Sequence, residues 1–139
     1  LETIKSFRLG YSPEGDALIN HLKKAGYKTE DIIEAGLYKA SERKQGETYP
    51  FFRNRVMFPV TDLQGRVVAF GARVLPESYG GPPGKSAPKY INSPETAIFH
   101  KGRNLYALSR ARKAIGDGET VIVVEGYMDV IALAQAGFK

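Results

Sequence analysis

The 139-residue sequence contains no cysteine. Disulfide cross-links, a cysteine zinc centre and a thiol nucleophile are therefore excluded. Histidine is nearly as scarce: of the two, His100 has no second His or Cys nearby with which to build a transition-metal site. His21 falls within an apolar helical repeat and reads as a packing residue. No serine stands in a strand–turn–helix elbow with a partner histidine, which leaves a nucleophilic triad without support. No apolar run approaches the roughly 18 residues that a membrane span requires. The first residues offer no secretory signal, because Glu2, Lys5 and Arg8 interrupt them. A cytoplasmic location without membrane attachment is the expectation. Leu1 is no natural start, and Lys139 follows Gly137 where a strand is expected, so the sequence reads as a piece of a longer protein.

Hydrophobic residues make up 42% and charged residues 25%, the balance of a folded domain, and eight Tyr and seven Phe can furnish a core. The net charge of +5 is unevenly placed. Residues 51–113 hold 11 Lys or Arg against only Asp62, Glu77 and Glu95, whereas residues 1–50 are neutral. Residues 114–139 carry Lys139 against four acidic side chains. A basic middle between a neutral and an acidic segment is the asymmetry of a polyanion-binding surface, and equally that of an ordinary solvated face.

The first third reads as helical. Asp16 to Ala25 sets Leu18, Ile19 and Leu22 on one face and closes at Gly26; Thr29 then caps a short helix that closes at Gly36. From Tyr49 the pattern changes. Arg55–Val60 and Arg66–Val74 read as an antiparallel hairpin around the turn signal Asp62-Leu63-Gln64-Gly65. Residues 76–88 hold four Pro and three Gly and read as a loop. Gly102 to Ile115 reads as a helix with Leu105, Leu108 and Ile115 inward, broken by Gly116-Asp117-Gly118. Thr120–Val124 has the continuous β-branched pattern of a strand buried on both faces of a parallel sheet, and Gly126 to Ala136 follows as a helix.

Two groups of residues carry chemistry. Glu125 stands where the apolar strand turns into a helix, the place where ligands gather in open α/β sheets. Gly126 beside it permits a tight turn and close ligand approach, and Asp129 lies one helical turn on. Such a carboxylate could hold a hard cation such as Mg²⁺ or act as a base; the plainer reading is a helix cap with a solvated Asp129. The second group is Pro88-Lys89-Tyr90-Ile91-Asn92-Ser93-Pro94-Glu95-Thr96 with Phe99-His100-Lys101-Gly102. Two lysines flanking small polar residues, with Tyr90 and His100 for stacking, suit a phosphate backbone. A connecting loop with solvated lysines is the alternative. Arg53 and Arg55 precede and open the first strand, and Arg66 and Arg73 accompany the second; they form a cationic ridge or simply the polar side of a hairpin.

Five blocks in one order resemble the RNA-polymerase core of bacterial DNA primase, the DnaG type. They are Arg55–Pro59, Asp62–Gly71 with Arg73, Pro88–Glu95, Phe99–Gly102 and Val123–Asp129. The resemblance covers nearly the whole chain. It implies an α+β amino-terminal subdomain of small helices plus antiparallel strands, residues 1–118, leading into a truncated α/β TOPRIM fold at residues 119–139. It implies that Glu125 belongs to an acidic metal site for Mg²⁺ (or Mn²⁺), whose further Asp-x-Asp pair has no counterpart here. Asp129 is a second candidate ligand. By the same resemblance Arg55, Arg73, Lys89 and Lys101 line a basic groove; Arg53, Tyr90, Asn92 and Gly126 join the nucleic-acid or nucleotide-binding candidates. The family's zinc-binding domain and its carboxy-terminal helicase-binding domain have no match in these residues, so zinc and the replicative helicase are reached only through those domains.

The expected activity is that of a nucleotidyltransferase copying single-stranded DNA into short RNA primers from ribonucleoside triphosphates, with this piece inactive alone. Two rivals stand beside it. One is another TOPRIM chemistry, topoisomerase- or nuclease-like, although neither Tyr90 nor Tyr127 is marked as a nucleophile. The other is a non-catalytic single-strand-binding module in which Glu125 only caps a helix.

Overall fold

A computed structural model describes residues 1–42, 44–77 and 87–138. Along the chain these form α1 (Glu2–Ser6), β1 (Gly10–Ser12), α2 (Ala17–Lys24), α3 (Thr29–Glu34), β2 (Tyr38–Ala40) and β3 (Thr48–Pro50). There follow β4 (Arg55–Thr61), β5 (Val67–Val74), β6 (Tyr90–Asn92), a one-turn 3₁₀ helix at Lys101–Arg103, α4 (Leu108–Gly116) and α5 (Tyr127–Gln135).

The β4–β5 hairpin organises the molecule, as its Val- and Phe-rich sequence predicts. Its turn is closed by Asp62, whose carboxylate accepts from the Gln64 and Arg66 N–H groups, both at 2.9 Å, and from Arg66 Nε at 2.7 Å. Gly65 takes the positive φ (+82°) that the turn requires. β1 and β6 extend the hairpin to an antiparallel sheet of order β1-β4-β5-β6, and β2 and β3 pair separately.

The register sorts the sheet into two faces. Val56, Phe58 and Val60 of β4 stand opposite Arg73, Gly71 and Ala69 of β5, and Arg73 and Gly71 stand opposite Tyr90 and Asn92 of β6. On this first face Phe58 packs with Phe7, at the end of α1, and with Ile131 of α5, while Val60 and Ala69 pack with Phe99. The second face holds Met57 and Ala72, packed with Phe52. A third cluster, Ile19, Ile32 and Tyr38, gathers α2, α3 and β2. There the buried Tyr38 hydroxyl accepts from the Ile19 N–H at 3.4 Å and donates to the Gly15 carbonyl at 3.3 Å.

Several expectations are corrected. Residues 120–124 form no strand, and Val121, Ile122 and Val123 are exposed. A strand exists only through a partner, and among the described residues none pairs with this segment. The helix expected from Gly102 begins at Leu108: Ala107 is left-handed (φ +61°), Leu105 is 61% exposed, and Tyr106 takes the inward position beside Phe7 and Tyr127. The larger aromatic surface wins the core position. His21 is exposed, because Ile19 and Leu22 define the buried side of α2. Thr29 is the first helical residue of α3 rather than its cap; Lys28 holds that place, its N–H donating to Asp31 Oδ2 at 3.4 Å. The helical first third also contains β1, a strand created by its distant partner β4. Most of the Pro/Gly-rich stretch 76–88 lies outside the described residues.

Candidate functional site

Three of the site candidates, Arg73, Tyr90 and Asn92, gather beside Tyr127, the first residue of α5. Its ring stacks on Phe58 (centroids 5.0 Å apart) and meets Tyr106 edge-on at 4.6 Å. It also lies directly over Gly71, where a Cβ would collide with the ring. Glycine at the centre of β5 is therefore required by close approach. The Tyr127 hydroxyl donates to Asn92 Oδ1 at 2.6 Å. This bond ties the start of α5, two residues after Glu125, to β6. Burial pushes the Tyr127 hydroxyl pKa upward.

Arg73, Tyr90 and Asn92 share the face that Tyr127 covers. The Arg73 guanidinium lies 5.9 Å from the Tyr90 ring centroid, and Tyr90 lies 6.4 Å from Tyr127. Arg73 Nε is buried without a hydrogen-bond partner among the described residues. Arg55 is on the opposite face. It is 6% exposed and donates through Nη1 to the Pro88 carbonyl at 2.9 Å. Burial, then the neighbouring Arg53, lowers its pKa from the usual arginine value. Lys89 is exposed, its carbonyl accepting from the Val74 N–H at 3.0 Å. Exposed Arg53 lies 6.0 Å from the Tyr49 ring centroid. The structure thus brings Arg73, Tyr90 and Asn92 together and separates Arg55 from them.

The segment after β6 is held by built-in polar contacts. Ser93, 1% exposed, donates through its N–H to the Phe70 carbonyl at 2.8 Å and accepts from the Phe70 N–H at 2.9 Å. Pro94 sits where a side chain on Gly36 would stand, so this segment docks against the end of α3. Phe99 is buried on the Tyr127 face. Between these anchors, Glu95 Oε1 accepts from the Lys101 N–H at 2.9 Å and Oε2 pairs with His100 Nδ1 at 3.0 Å. The Lys101 N–H, then the His100 ring, holds the Glu95 carboxyl below the usual range for a carboxylate.

Glu125 and Asp129 are exposed, and Gly126 rather than Glu125 is the N-cap of α5. Asp129 Oδ2 lies 3.0 Å from the position a Cβ on Gly126 would take, so the glycine leaves room for a carboxylate at the head of the helix. Among the described residues no group of three or more His, Cys, Asp or Glu could enclose a metal. Two hard oxygen donors nevertheless suit Mg²⁺, which keeps waters and takes further oxygens from phosphate.

Sequence reasoning missed Tyr127, Gly71 and the Gly36–Pro94 contact as elements of the site, and it read Ser93 as one of the small polar residues suited to phosphate, whereas Ser93 is a buried anchor bonded to Phe70. An aromatic directly after a Glu-Gly turn, with a glycine inside an otherwise bulky strand, was the available signal for the first two.

The chain matches, over residues 1–112, the family described as the DNA primase catalytic core, N-terminal domain. It is 47% identical over 138 residues to a DNA primase of Deinococcus radiodurans, covering 99% of this chain and 23% of that protein. The RNA polymerase domain of Mycobacterium tuberculosis primase DnaG, solved with a double-stranded DNA oligomer bearing a 6-nucleotide overhang, superposes with a TM-score of 0.86 at 32% identity, over 98% of this chain and 40% of that one. A DnaG primase catalytic domain bound to single-stranded DNA gives a TM-score of 0.75 at 45% identity, over 98% of this chain and 39% of that one. The chain spans about a fifth of the length of the curated relatives it matches.

Proposed function

The chain belongs to the DnaG-type DNA primase catalytic-core family, and on that premise we propose that it forms part of the template- and nucleotide-binding surface of a primase. The whole protein copies single-stranded DNA into short RNA primers from ribonucleoside triphosphates. Residues 1–118 act as the basic subdomain and residues 119–139 lead toward the TOPRIM part. Arg53, Arg73, Lys89, Tyr90, Asn92, Lys101 and Gly126 contact template, primer or triphosphate, and Arg55 holds the start of β6 through Pro88. The protein works in the bacterial cytoplasm beside the replicative helicase.

The observation that carries this reading is the hydrogen bond from Tyr127 to Asn92. It couples the backbone that bears Glu125 and Gly126 to the strand that bears Tyr90. Carboxylate chemistry and phosphate-binding chemistry are thereby held on one framework. Glu125 and Asp129 would hold Mg²⁺ (or Mn²⁺), which when bound supplies charge neutralisation at the reacting phosphate. The cationic side chains orient the polyanion before reaction, a contribution of positioning and electrostatics.

Primer synthesis on a single-stranded template, assayed with the full-length protein, tests the proposal. Glu125→Gln keeps the side-chain volume and removes the charge, so synthesis should fall by at least about 100-fold while single-strand binding persists. Undiminished synthesis would reduce Glu125 to a turn residue and remove the metal assignment.

A further inference from the structure

Glu95 is one of three acidic side chains in residues 51–113, amid 11 basic ones. On a surface that grips phosphates, a carboxylate repels the ligand unless it has other work. Its two oxygens are both engaged, one by the Lys101 backbone N–H at 2.9 Å and the other by His100 Nδ1 at 3.0 Å. The loop they close is also pinned inside. Thr96 and Phe99 exchange backbone hydrogen bonds of 3.1 and 3.3 Å, and Phe99 is 5% exposed. Beyond Lys101, the His100 carbonyl accepts from the Arg103 N–H at 2.9 Å and Asn104 Nδ2 at 2.7 Å. Lys101 thus leaves the backbone at a point fixed from both sides. A carboxylate accepting from a backbone N–H makes a charge-assisted bond, stronger than a neutral one and directional.

We propose that Glu95 is a positioning residue: its carboxylate closes the loop of residues 95–101 and so aims Lys101 at a nucleic-acid phosphate. This rests on the reading of Lys101 as a phosphate contact and adds the group that makes the contact effective. A positioning role and a bare charge predict opposite signs. Removing a carboxylate from a phosphate-binding surface tightens binding if only its charge matters. It weakens binding if the carboxylate aims the lysine.

The test is fluorescence anisotropy of a labelled single-stranded oligonucleotide across a salt series, using full-length protein with Glu95→Ala, Glu95→Gln, Lys101→Ala and the double variant Glu95→Ala/Lys101→Ala. Each phosphate contact on a single strand carries a log–log salt slope of about 0.7, or roughly fivefold in affinity at 0.1 M relative to 1 M salt. Glu95→Ala should therefore weaken binding by about fivefold at 0.1 M salt and flatten the slope by about 0.7. Glu95→Gln, which keeps an acceptor for the Lys101 N–H, should recover most of the affinity. The double variant should bind no more weakly than Lys101→Ala alone. Unchanged or tighter binding by Glu95→Ala, while Lys101→Ala weakens it, overturns the positioning role and leaves the functional reading intact. Unchanged binding by Lys101→Ala overturns the reading of Lys101 and the positioning role with it. Should Glu95→Ala fail to fold, Glu95→Asp replaces it: the charge stays but the oxygens withdraw from the Lys101 N–H, and wild-type affinity there overturns the proposal.

Discussion

Tyr106 carries a hydroxyl that is buried without a hydrogen-bond partner among the described residues. Burial, and next the adjacent Tyr127, push its pKa up to about 12. Burial penalises the ionised phenol, so above the unfolded value of about 10 the unfolded chain gives up a proton that the folded chain keeps, and stability declines until pH passes the folded value. Stability should therefore fall between about pH 10 and pH 12. An unsatisfied buried hydroxyl also costs about 1 kcal/mol or more at neutral pH. Tyr106→Phe should raise the unfolding free energy by roughly 1 kcal/mol at pH 7, read from a urea midpoint shift at unchanged m. The alkaline decline should be shallower in this variant, and what remains belongs to Tyr127 and Tyr38, whose hydroxyls burial also raises. None of this was readable along the chain, where Leu105 rather than Tyr106 fits the apolar spacing.

At the scale of elements, the hairpin was legible and the parts around it only partly so. β4, β5 and the Asp62–Gly65 turn follow from local chemistry: β-branched and aromatic alternation, an Asx turn, a glycine at positive φ. β1, β2, β3 and β6 are three residues each; β1 and β6 exist because a distant partner completes their hydrogen bonds, and β2 and β3 pair with each other across a short connection, with too few residues for an alternating pattern to show. Residues 120–124 show the converse, strand propensity with no partner among the described residues. α5 docks with Ile131 against Phe58 and Phe7, and it comes nearest the sheet where Tyr127 lies over Gly71. Gly71→Ala should cost about 1–3 kcal/mol in chemical denaturation, because the methyl group displaces a ring held by Phe58 and Tyr106. In a Tyr127→Ala background the same change should cost clearly less, since the colliding ring is gone.

At the scale of the whole molecule, the basic middle of the chain is divided by the sheet. Arg73, beside Tyr90, lies on the face covered by Tyr127; Arg55 lies beneath the other face, bonded to Pro88. The two arginines should therefore respond differently. Arg73→Ala should flatten the salt slope of single-strand binding by about 0.7 with a modest change in stability. Arg55→Ala should leave the slope within error and lower stability by about 1.5–3 kcal/mol, the range for a hydrogen bond to a charged group. Anisotropy titration and thermal melting of the same two variants check both statements.

What the sequence by itself determined was composition, the placement of charge, the hairpin, the glycine-closed helices and the motif order that marks the family. These depend on residues near one another in the chain, or on chemistry that no fold can alter, such as the absence of cysteine. Only the tertiary structure decided which cations share a face, because strand register sets side-chain direction and a shift of one residue reverses it. It alone also decided that Tyr127 joins α5 to β6 and that Glu95 is engaged with the Lys101 loop. The first contact spans 35 residues and the second closes a loop around a buried phenylalanine. Contacts of that kind form only once the chain has packed.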